Sequence, residues 1–234
     1  MSPLPQLIQG DCVDALTALQ SGSVDLVVTD PPYVARYRDR SGRCVAFDDR
    51  ADWIRPAFDQ IARVMRQDSL CVSFYGWTAI TEFMTAWKTA GLKPVGHLVW
   101  HKSYASRVGF VAARHEQAFL LAKGNPPRPS TILPDVLPWT YTGNQLHPTQ
   151  KAVEVIQPLI EAFSSPGETV LDPFMGSGTA GVAASQAGRR FIGIELDPGH
   201  FETARARVLR PWGLASDSAA NDNEVLVYAN GALA

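Results

Sequence analysis

Apolar and polar positions along the chain follow two alternating patterns, one typical of buried strands and one typical of helices that cover a sheet. Short apolar runs predict strands at 6–10, 24–29, 69–75, 94–100, 116–122, 168–172 and 190–195. Apolar residues spaced three and four positions apart predict helices at 12–20, 51–66, 77–89, 149–163, 178–187 and 198–209. This alternation predicts an α/β fold with a doubly wound, mostly parallel sheet.

The predicted elements fill the first 210 residues. A chain of 234 residues with 46% hydrophobic content is long enough for a single domain with a large core. We expect that domain to span 1–210, with loops at about 34–50, 101–115 and 124–146. From Pro211 onward the sequence turns small, polar and acidic, which predicts a loosely ordered tail over 211–234, although 225–228 could dock as an edge strand.

The strand at 24–29 ends in a tetrapeptide that offers a candidate catalytic turn. Asp30, Pro31, Pro32 and Tyr33 would place a carboxylate, carbonyl groups and an aromatic ring at the carboxyl end of a buried strand, where α/β sheets bind ligands. The prolines stiffen the turn and lack N–H groups, so acceptors cluster beside a flat ring. That arrangement suits a planar substrate with an amino group, such as a nucleobase. The alternative is a strand end closed by a proline turn and a tyrosine cap.

A second segment predicts a nucleoside site. A strand ends at Asp172, a turn with Gly176 and Gly178 follows, and a helix begins. Glu195 ends the next strand, about 20 positions further on, which is the spacing of a carboxylate that binds ribose hydroxyls. The third glycine of a dinucleotide motif and the lysine of a phosphate loop are missing from this segment, so the predicted ligand lacks a pyrophosphate. A glycine turn without a ligand is the alternative.

These two segments, in this order, resemble the β-class amino DNA methyltransferases, which modify N6 of adenine or N4 of cytosine. Residues 7–12 resemble the strand-and-acid segment that opens that family, and 147–151 resemble its segment before the glycine turn. Ala152 stands where the family usually has proline, and Ala180 where it often has threonine. The catalytic strand precedes the cofactor strand, so the motif order is permuted relative to a common methyltransferase arrangement.

The resemblance implies a seven-stranded, Rossmann-like methyltransferase sheet with one antiparallel strand, and S-adenosyl-L-methionine as the cofactor. It implies methyl transfer to the exocyclic amino group of a base flipped out of the duplex. Asp30 and the Pro31 carbonyl would accept the amino hydrogens, and Tyr33 would stack on the base. The implied cofactor site comprises Asp11, Cys12, His147, Thr149, Gln150, Lys151, Asp172, Pro173, Phe174, Gly176, Ser177, Gly178, Thr179, Glu195 and Leu196.

Individual roles within this set also follow from the resemblance. Glu195 would bind the ribose hydroxyls, Lys151 the carboxylate of the cofactor, and Asp11 its adenine region. A solvated lysine and a helix N-cap are the alternatives for Lys151 and Asp11. His147 is not expected to act as a general base.

The acceptor is less sharply defined than the reaction. A tetrapeptide that begins with aspartate favours adenine N6, because many cytosine N4 relatives begin with serine. Cytosine N4, RNA or a protein amide as acceptor, and a catalytically silent DNA-binding regulator, are the alternatives. A partner restriction enzyme and a homodimer are both compatible with the sequence.

Charge and composition limit the partners. The net charge of −2 neither requires nor excludes nucleic acid. Basic residues nevertheless crowd two loops, and we predict phosphate contacts to double-stranded DNA, or to single strands, for Arg36, Arg38, Arg40, Arg43, Lys102 and Arg107. A solvated loop is the alternative for any one of them. The absence of a long apolar run, of a signal-peptide pattern and of a metal-ligand spacing among the cysteines predicts a cytoplasmic protein without a metal.

Overall fold

A computed structural model describes residues 4–35, 46–143, 146 and 149–210 and the backbone of 227–229. The strands are β1 (Gln6–Gln9), β2 (Val24–Thr29), β3 (Met65–Phe74), β4 (Leu92–His101), β5 (Arg107–Val108), β6 (Ala112–Ala113), β7 (His115–Lys123), β8 (Val136–Pro138), β9 (Thr169–Asp172), β10 (Arg190–Glu195) and β11 (Val227–Ala229). The α-helices are α1 (Cys12–Thr17), α2 (Ile54–Val64), α3 (Ile80–Thr89), α4 (Val153–Phe163), α5 (Thr179–Gln186) and α6 (Pro198–Leu209).

The main sheet has the order β11-β1-β10-β9-β2-β3-β7-β4-β8. Among the described strands of this sheet, only β7 runs antiparallel to its neighbours, β3 and β4, which confirms the doubly wound, mostly parallel sheet with one antiparallel strand. The count of seven is wrong by two, because the described sheet has nine strands. The additional strands, β8 and β11, are three-residue edge strands. Strand β11 overlaps the segment 225–228 that could dock as an edge strand, whereas β8 was not predicted, because pairing through main-chain groups leaves little trace in the side-chain pattern.

Helices cover both faces of this sheet. Alternate residues of each strand face opposite sides, so Leu26 and Val28 pack with α4, α5 and α6, whereas Val27 packs with α1, α2 and α3. The two buried clusters explain why the central strands are apolar almost throughout. None of the helices that the structure describes is long and apolar enough to cross a bilayer.

Most helices are shorter than their patterns predict, and one of these differences bears on function. Helix α4 begins at Val153, not at 149, because Ala152 has the extended backbone of a capping position (ψ 151°). Residues 149–152 therefore form an irregular segment before the helix. Thr149, Gln150 and Lys151 of this segment line a pocket at the edge of the sheet.

The strand order changes direction between the neighbouring strands β2 and β9. From β9 the sheet continues to β10 and β1 on one side, and from β2 it continues to β3 on the other. Ligands bind at such a point in open α/β sheets, beyond the carboxyl ends of the strands. The carboxyl ends of β2, β9 and β10 are where the sequence places Asp30, Asp172 and Glu195.

Candidate active site

The turn after β2 folds Tyr33 back over Asp30. The Tyr33 hydroxyl donates to Asp30 Oδ1 at 2.8 Å. Val34, the next residue, has a positive φ of 57°, a conformation that costs about 1–3 kcal/mol in a non-glycine residue and is common at functional sites. The four residues Asp30, Pro31, Pro32 and Tyr33 all line one cavity at the edge of the sheet.

Gly76, which the sequence analysis did not single out, permits this turn. It follows β3, the strand beside β2, and a β-carbon at this position would overlap the Tyr33 carbonyl oxygen and approach the Tyr33 Cβ to 2.7 Å. Only glycine therefore fits between the end of β3 and the turn. Its position directly after a buried strand, in the sequence Phe-Tyr-Gly-Trp, is the signal that could have identified it.

Lys151 is the cationic partner of Asp30. Its ammonium group donates to Asp30 Oδ2, lies 3.3 Å from the Tyr33 hydroxyl and stands 4.9 Å from the centre of the Phe74 ring. The Lys151 carbonyl accepts from Thr179 Oγ1 at 3.0 Å, which attaches this segment to the start of α5. The predicted pairing of Lys151 with a cofactor carboxylate stays a prediction, and its ammonium group is also engaged by the candidate catalytic carboxylate.

Burial and charge shift the titration of this cluster. Burial raises the pKa of Asp30, while the Lys151 charge and the hydrogen bonds from Lys151 and Tyr33 act in the opposite direction. Burial, together with the charges of Asp30 and Glu116, raises the pKa of Tyr33 well above its ordinary value, so its hydroxyl stays protonated and remains a donor. The Lys151 ammonium group is the positive charge that favours ionised Asp30 in this buried place.

A second buried ion pair lies behind Tyr33. Glu116 Oε2 is 3.4 Å from the Tyr33 hydroxyl, and Glu116 Oε1 accepts from the Lys102 ammonium group. Lys102 is only 3% exposed, and its ammonium group stands 5.2 Å from the Trp139 ring. The contact of Lys102 with DNA phosphates stays a prediction, and the burial and ion pair of its ammonium group argue against it. Glu116 belongs to none of the motifs in the sequence. Only its charge near the start of an apolar strand could have identified it as a candidate site residue.

Glu195 closes the glycine turn from the neighbouring strand. Its carboxylate accepts from Gly176 N and from Asp197 N, each at 2.8 Å. Burial raises the pKa of Glu195 to about 7, against these two hydrogen bonds, which lower it. A carboxylate has further lone pairs, so two backbone donors leave acceptor capacity toward the cavity.

Asp172 is a buried carboxylate with no cationic partner among the residues that the structure describes. It accepts from Phe174 N at 3.1 Å, and burial raises its pKa to about 8. The nearby Thr29 hydroxyl is buried too, and it has no hydrogen-bond partner of normal geometry within the described ranges. A buried acid with a strongly shifted pKa in a cleft marks a candidate ligand site, and a cationic ligand group would satisfy it.

The cavity collects most of the predicted cofactor residues. Asp11, Cys12, Thr149, Pro173, Phe174, Gly176, Glu195 and Leu196 line it, and a smaller adjoining pocket adds Gln150, Lys151, Asp172, Ser177 and Thr179. The cavity is also lined by residues that were not predicted, among them Val13, Phe47, Asp48, Trp53, Asp197 and His200. Trp53 packs edge-on against Phe174 with ring centres 5.2 Å apart, so one wall of the cavity is aromatic.

Three predicted cofactor residues have to be considered separately from the others. Gly178 lines neither pocket; its φ is positive, at 79°, and a β-carbon at this position would approach the Ala204 Cβ to 3.0 Å, so the glycine lets α5 approach α6. Asp11 caps α1 by accepting from Val13 N, and it lines the cavity as well, so both of its expected roles are compatible with its position. His147 lies outside the described residues.

Arg207 supports the glycine turn from α6. Its guanidinium group donates to the Ser177 carbonyl and, at 2.9 Å, to the Ser177 hydroxyl. Burial lowers the pKa of Arg207, which marks it as a desolvated charge held by the turn. The position of Arg207 in the last turn of a helix gave no sign of this contact in the sequence.

The surface residues predicted to bind DNA fall into two groups. Arg107 is exposed on β5. Arg36, Arg38, Arg40 and Arg43 lie outside the described residues, so their phosphate contacts remain predictions.

The buried thiols offer no nucleophile. Burial raises the pKa of Cys12 and of Cys71, so both are protonated at neutral pH. Methyl transfer of the implied kind needs no covalent intermediate, in agreement with this.

Comparisons with known proteins give the family. A family model described as DNA methylase matches residues 24–142 and 127–206. Putative methylase YubD of Escherichia coli (strain K12) is 48% identical over 220 residues, which cover 94% of this chain and 97% of that protein. A crystal structure of an M1.HpyAVI–SAM complex has a TM-score of 0.68 at 24% identity, over 88% of this chain and 99% of that one. PvuII DNA methyltransferase (cytosine-N4-specific) has a TM-score of 0.72 at 16% identity, over 94% of this chain and 89% of that one.

The two solved structures share the Rossmann-like methyltransferase fold, and the family match spans most of the sheet, the smaller pocket and most residues of the larger cavity. The strand order, the cavity residues and the sequence relatives all point to the same family. The chain belongs to the DNA methylase family whose members methylate amino groups of bases at N6 or N4.

Proposed function

We propose that the protein transfers a methyl group from S-adenosyl-L-methionine to the N6 amino group of adenine in double-stranded DNA. The observation that carries this proposal is the placement of Asp30 and Tyr33 at the switch point of the sheet, on one wall of the cavity that Glu195 and the glycine turn border. Chromosomal or plasmid DNA in the cytoplasm is the substrate that we expect.

The residues of the cavity fit this cofactor. When bound, S-adenosyl-L-methionine supplies a methyl group on a sulfonium centre, which is an electrophile. Glu195 would accept from ribose hydroxyls, Asp172 would face the cationic amino-acid part, and Trp53 and Phe174 would flank the nucleoside. Asp172 supports this fit, because it has no cationic partner among the described residues and a buried carboxylate is stabilised by a cation.

Asp30 would hold the acceptor nitrogen. The lone pair of an exocyclic amino group is delocalised into the ring, so the nitrogen becomes nucleophilic when acceptors draw its hydrogens out of the base plane. An ionised carboxylate has about four lone-pair sites, and Lys151 and Tyr33 occupy two of them. The remaining sites and the Pro31 carbonyl would accept the amino hydrogens.

Lys151 would keep Asp30 in its accepting form. A protonated Asp30 would lose acceptor capacity, and burial favours that neutral form. The ammonium group at contact distance opposes this effect. After transfer the amino nitrogen carries one proton too many, and Asp30 is the carboxylate positioned to receive it.

Cytosine N4 is the second candidate acceptor, because PvuII DNA methyltransferase shares the fold and is cytosine-N4-specific. The aspartate at position 30 supports adenine. The decisive experiment incubates the purified protein with labelled cofactor and unmethylated genomic DNA, digests the DNA and separates the nucleosides. We expect the wild type to place label in N6-methyladenine and the matched control, Asp30→Asn, to place none. Label in N4-methylcytosine would make cytosine N4 the acceptor. DNA binding by the wild type without any label would favour a silent DNA-binding regulator.

A further inference from the structure

A short hairpin projects from the edge of the sheet that carries the site. Strands β5 and β6 pair antiparallel between the end of β4 and the start of β7. Three apolar side chains at its tip are exposed: Val108 to 78%, Phe110 to 110% and Val111 to 77%. Phe110 is more exposed than any other large hydrophobic side chain that the structure describes. An aromatic ring in this position has no partner within the described part of the chain.

The root of the hairpin is held firmly and is connected to the candidate catalytic turn. Lys102 N donates to the Arg114 carbonyl and Ser106 N to the Ala113 carbonyl, each at 2.8 Å. The Lys102 ammonium group pairs with Glu116, which lies 3.4 Å from the Tyr33 hydroxyl. The buried ion pair therefore fixes where the hairpin stands relative to Tyr33.

The flanks of the hairpin are basic. Residues 101–115 contain no acidic residue, and Arg107 and Arg114 are exposed on either side of the tip. Arg114 donates to the Ser103 carbonyl at 2.9 Å, and neither guanidinium forms an ion pair within the residues that the structure describes. An apolar tip between two cations matches duplex DNA, where phosphates flank a stack of apolar base faces.

We propose that this hairpin is a wedge that enters the base stack of duplex DNA next to the target base. Phe110 and its neighbours would fill the space that the base leaves when it rotates toward Tyr33, and Arg107 and Arg114 would contact the flanking phosphates. This inference rests on the proposed function and adds to it the element that stabilises the opened duplex. Apolar side chains inserted between base steps compensate for lost stacking in other DNA-binding proteins.

The test compares paired and mispaired substrates, after the methylated site has been mapped by sequencing modified bases in DNA from cells that express the protein. A mispaired target base costs less to extrude, so it reduces the need for a wedge. We expect Phe110→Ala to lower kcat/KM on the paired duplex at least about tenfold, or about 1.4 kcal/mol, and to leave the mispaired duplex near the wild-type value. Phe110→Trp, which keeps a large ring, should behave like wild type.

Val95→Ala is the matched control, since Val95 is 57% exposed near the other end of β4. It should affect neither substrate. An equal loss on paired and mispaired duplexes, or no loss on either, would overturn the wedge. A change in sedimentation or in binding to anionic vesicles for Phe110→Ala, with DNA methylation unaltered, would instead make the tip a contact between copies or with lipid.

Failure of the wedge and failure of the proposed function give different results. If the wild type transfers no methyl group to any DNA, the proposed function is wrong. Equilibrium binding of Phe110→Ala and wild type to duplexes with and without a mispaired adenine needs no mapped site and still measures the wedge in that case. An equal ratio of paired to mispaired affinity in the wild type and in Phe110→Ala would then contradict the wedge.

Discussion

Lys151 donates a hydrogen bond to the Asp30 carboxylate across 121 positions of sequence. The same residue accepts a hydrogen bond from Thr179, at the start of the helix that follows the glycine turn. The candidate catalytic carboxylate is thereby attached to the cofactor side of the cleft through one side chain. We therefore expect the charge of Lys151 to favour the ionised form of Asp30.

Replacing Lys151 by methionine should lower kcat strongly and move the acidic limb of its pH profile upward. Without the ammonium group, burial dominates and Asp30 ionises only at higher pH. The measurement is kcat against pH for wild type and Lys151→Met. Lys123→Met is the matched control, because Lys123 donates to the Ala62 and Met65 carbonyls far along β7 and should change stability without moving the profile. An unmoved profile in Lys151→Met would contradict this role.

Asp30→Asn should abolish methyl transfer while cofactor affinity stays within about threefold of the wild type, a difference of about 0.7 kcal/mol. Asparagine keeps the shape but offers a single acceptor oxygen and no charge for Lys151. Calorimetric titration with cofactor and a transfer assay with labelled methyl groups report the two properties separately. Asp172→Asn is the complementary variant and should weaken cofactor binding first. Near-normal transfer by folded Asp30→Asn would remove Asp30 from the reaction.

Cofactor binding should release protons near neutral pH. Burial raises the pKa of Glu195 to about 7 and that of Asp172 to about 8, so both carboxyl groups of the free protein are partly protonated there. Ribose hydroxyls and a cationic ligand favour the ionised forms, and affinity should therefore rise from about pH 6 to about pH 8 and then level off. Calorimetry in two buffers of different ionisation enthalpy measures the proton release. Glu195→Gln should show less release, and buffer-independent heats in the wild type would exclude this coupling.

The same shifts predict how stability depends on pH. Both carboxyl groups hold protons in the folded protein at pH values where the unfolded chain has already released them. The free energy of unfolding of the free protein should therefore fall as pH rises between about 5 and about 8, and added cofactor should oppose that fall. Thermal unfolding across this range, with and without cofactor, gives the sign directly.

The sequence predicted those parts of the site that are local in the chain. Asp30 to Tyr33 and the glycine turn each follow directly on a buried strand, so their residue types and their place at the sheet edge could be inferred together. The partners of these residues could not, because Lys151, Glu116 and Arg207 reach the site through tertiary packing. Lys102 shows the limit most clearly: an apparently basic loop residue is buried in an ion pair.

Gly76→Ala should lower methyl transfer and leave cofactor binding intact. The added methyl group would overlap the Tyr33 carbonyl oxygen, so the turn must shift away from β3. Overpacking of this kind costs about 1–3 kcal/mol of stability. Gly96→Ala is the matched control, since a β-carbon there meets Leu120 at an ordinary 3.4 Å. Transfer assays measure the effect on the reaction, and thermal unfolding measures the effect on stability. Equal methyl transfer by Gly76→Ala and Gly96→Ala would mean that the turn tolerates the shift.

The last prediction separates surface charge from buried charge in DNA binding. Arg36, Arg38, Arg40 and Arg43 crowd the sequence after Tyr33, and their joint replacement by glutamine should weaken binding to unrelated duplexes alike. The slope of log affinity against log salt should fall by about 0.9 for each phosphate contact that is lost. Lys102→Met should leave that slope unchanged, because the Lys102 ammonium group is buried against Glu116. It should instead lower transfer, since Glu116 would lose its partner beside Tyr33.

Binding of several duplexes over a salt series, followed by transfer assays at saturating DNA, tests both variants together. Phosphate contacts carry no sequence information, so the arginine variant should lose affinity without losing discrimination between target and other DNA. If that variant loses discrimination and keeps its salt slope, the four arginines contact bases. If Lys102→Met flattens the slope, Lys102 leaves its ion pair to reach DNA, and the buried pair is not the state that binds. The two slopes therefore decide whether the phosphate contacts come from the four arginines or extend to the Lys102–Glu116 pair.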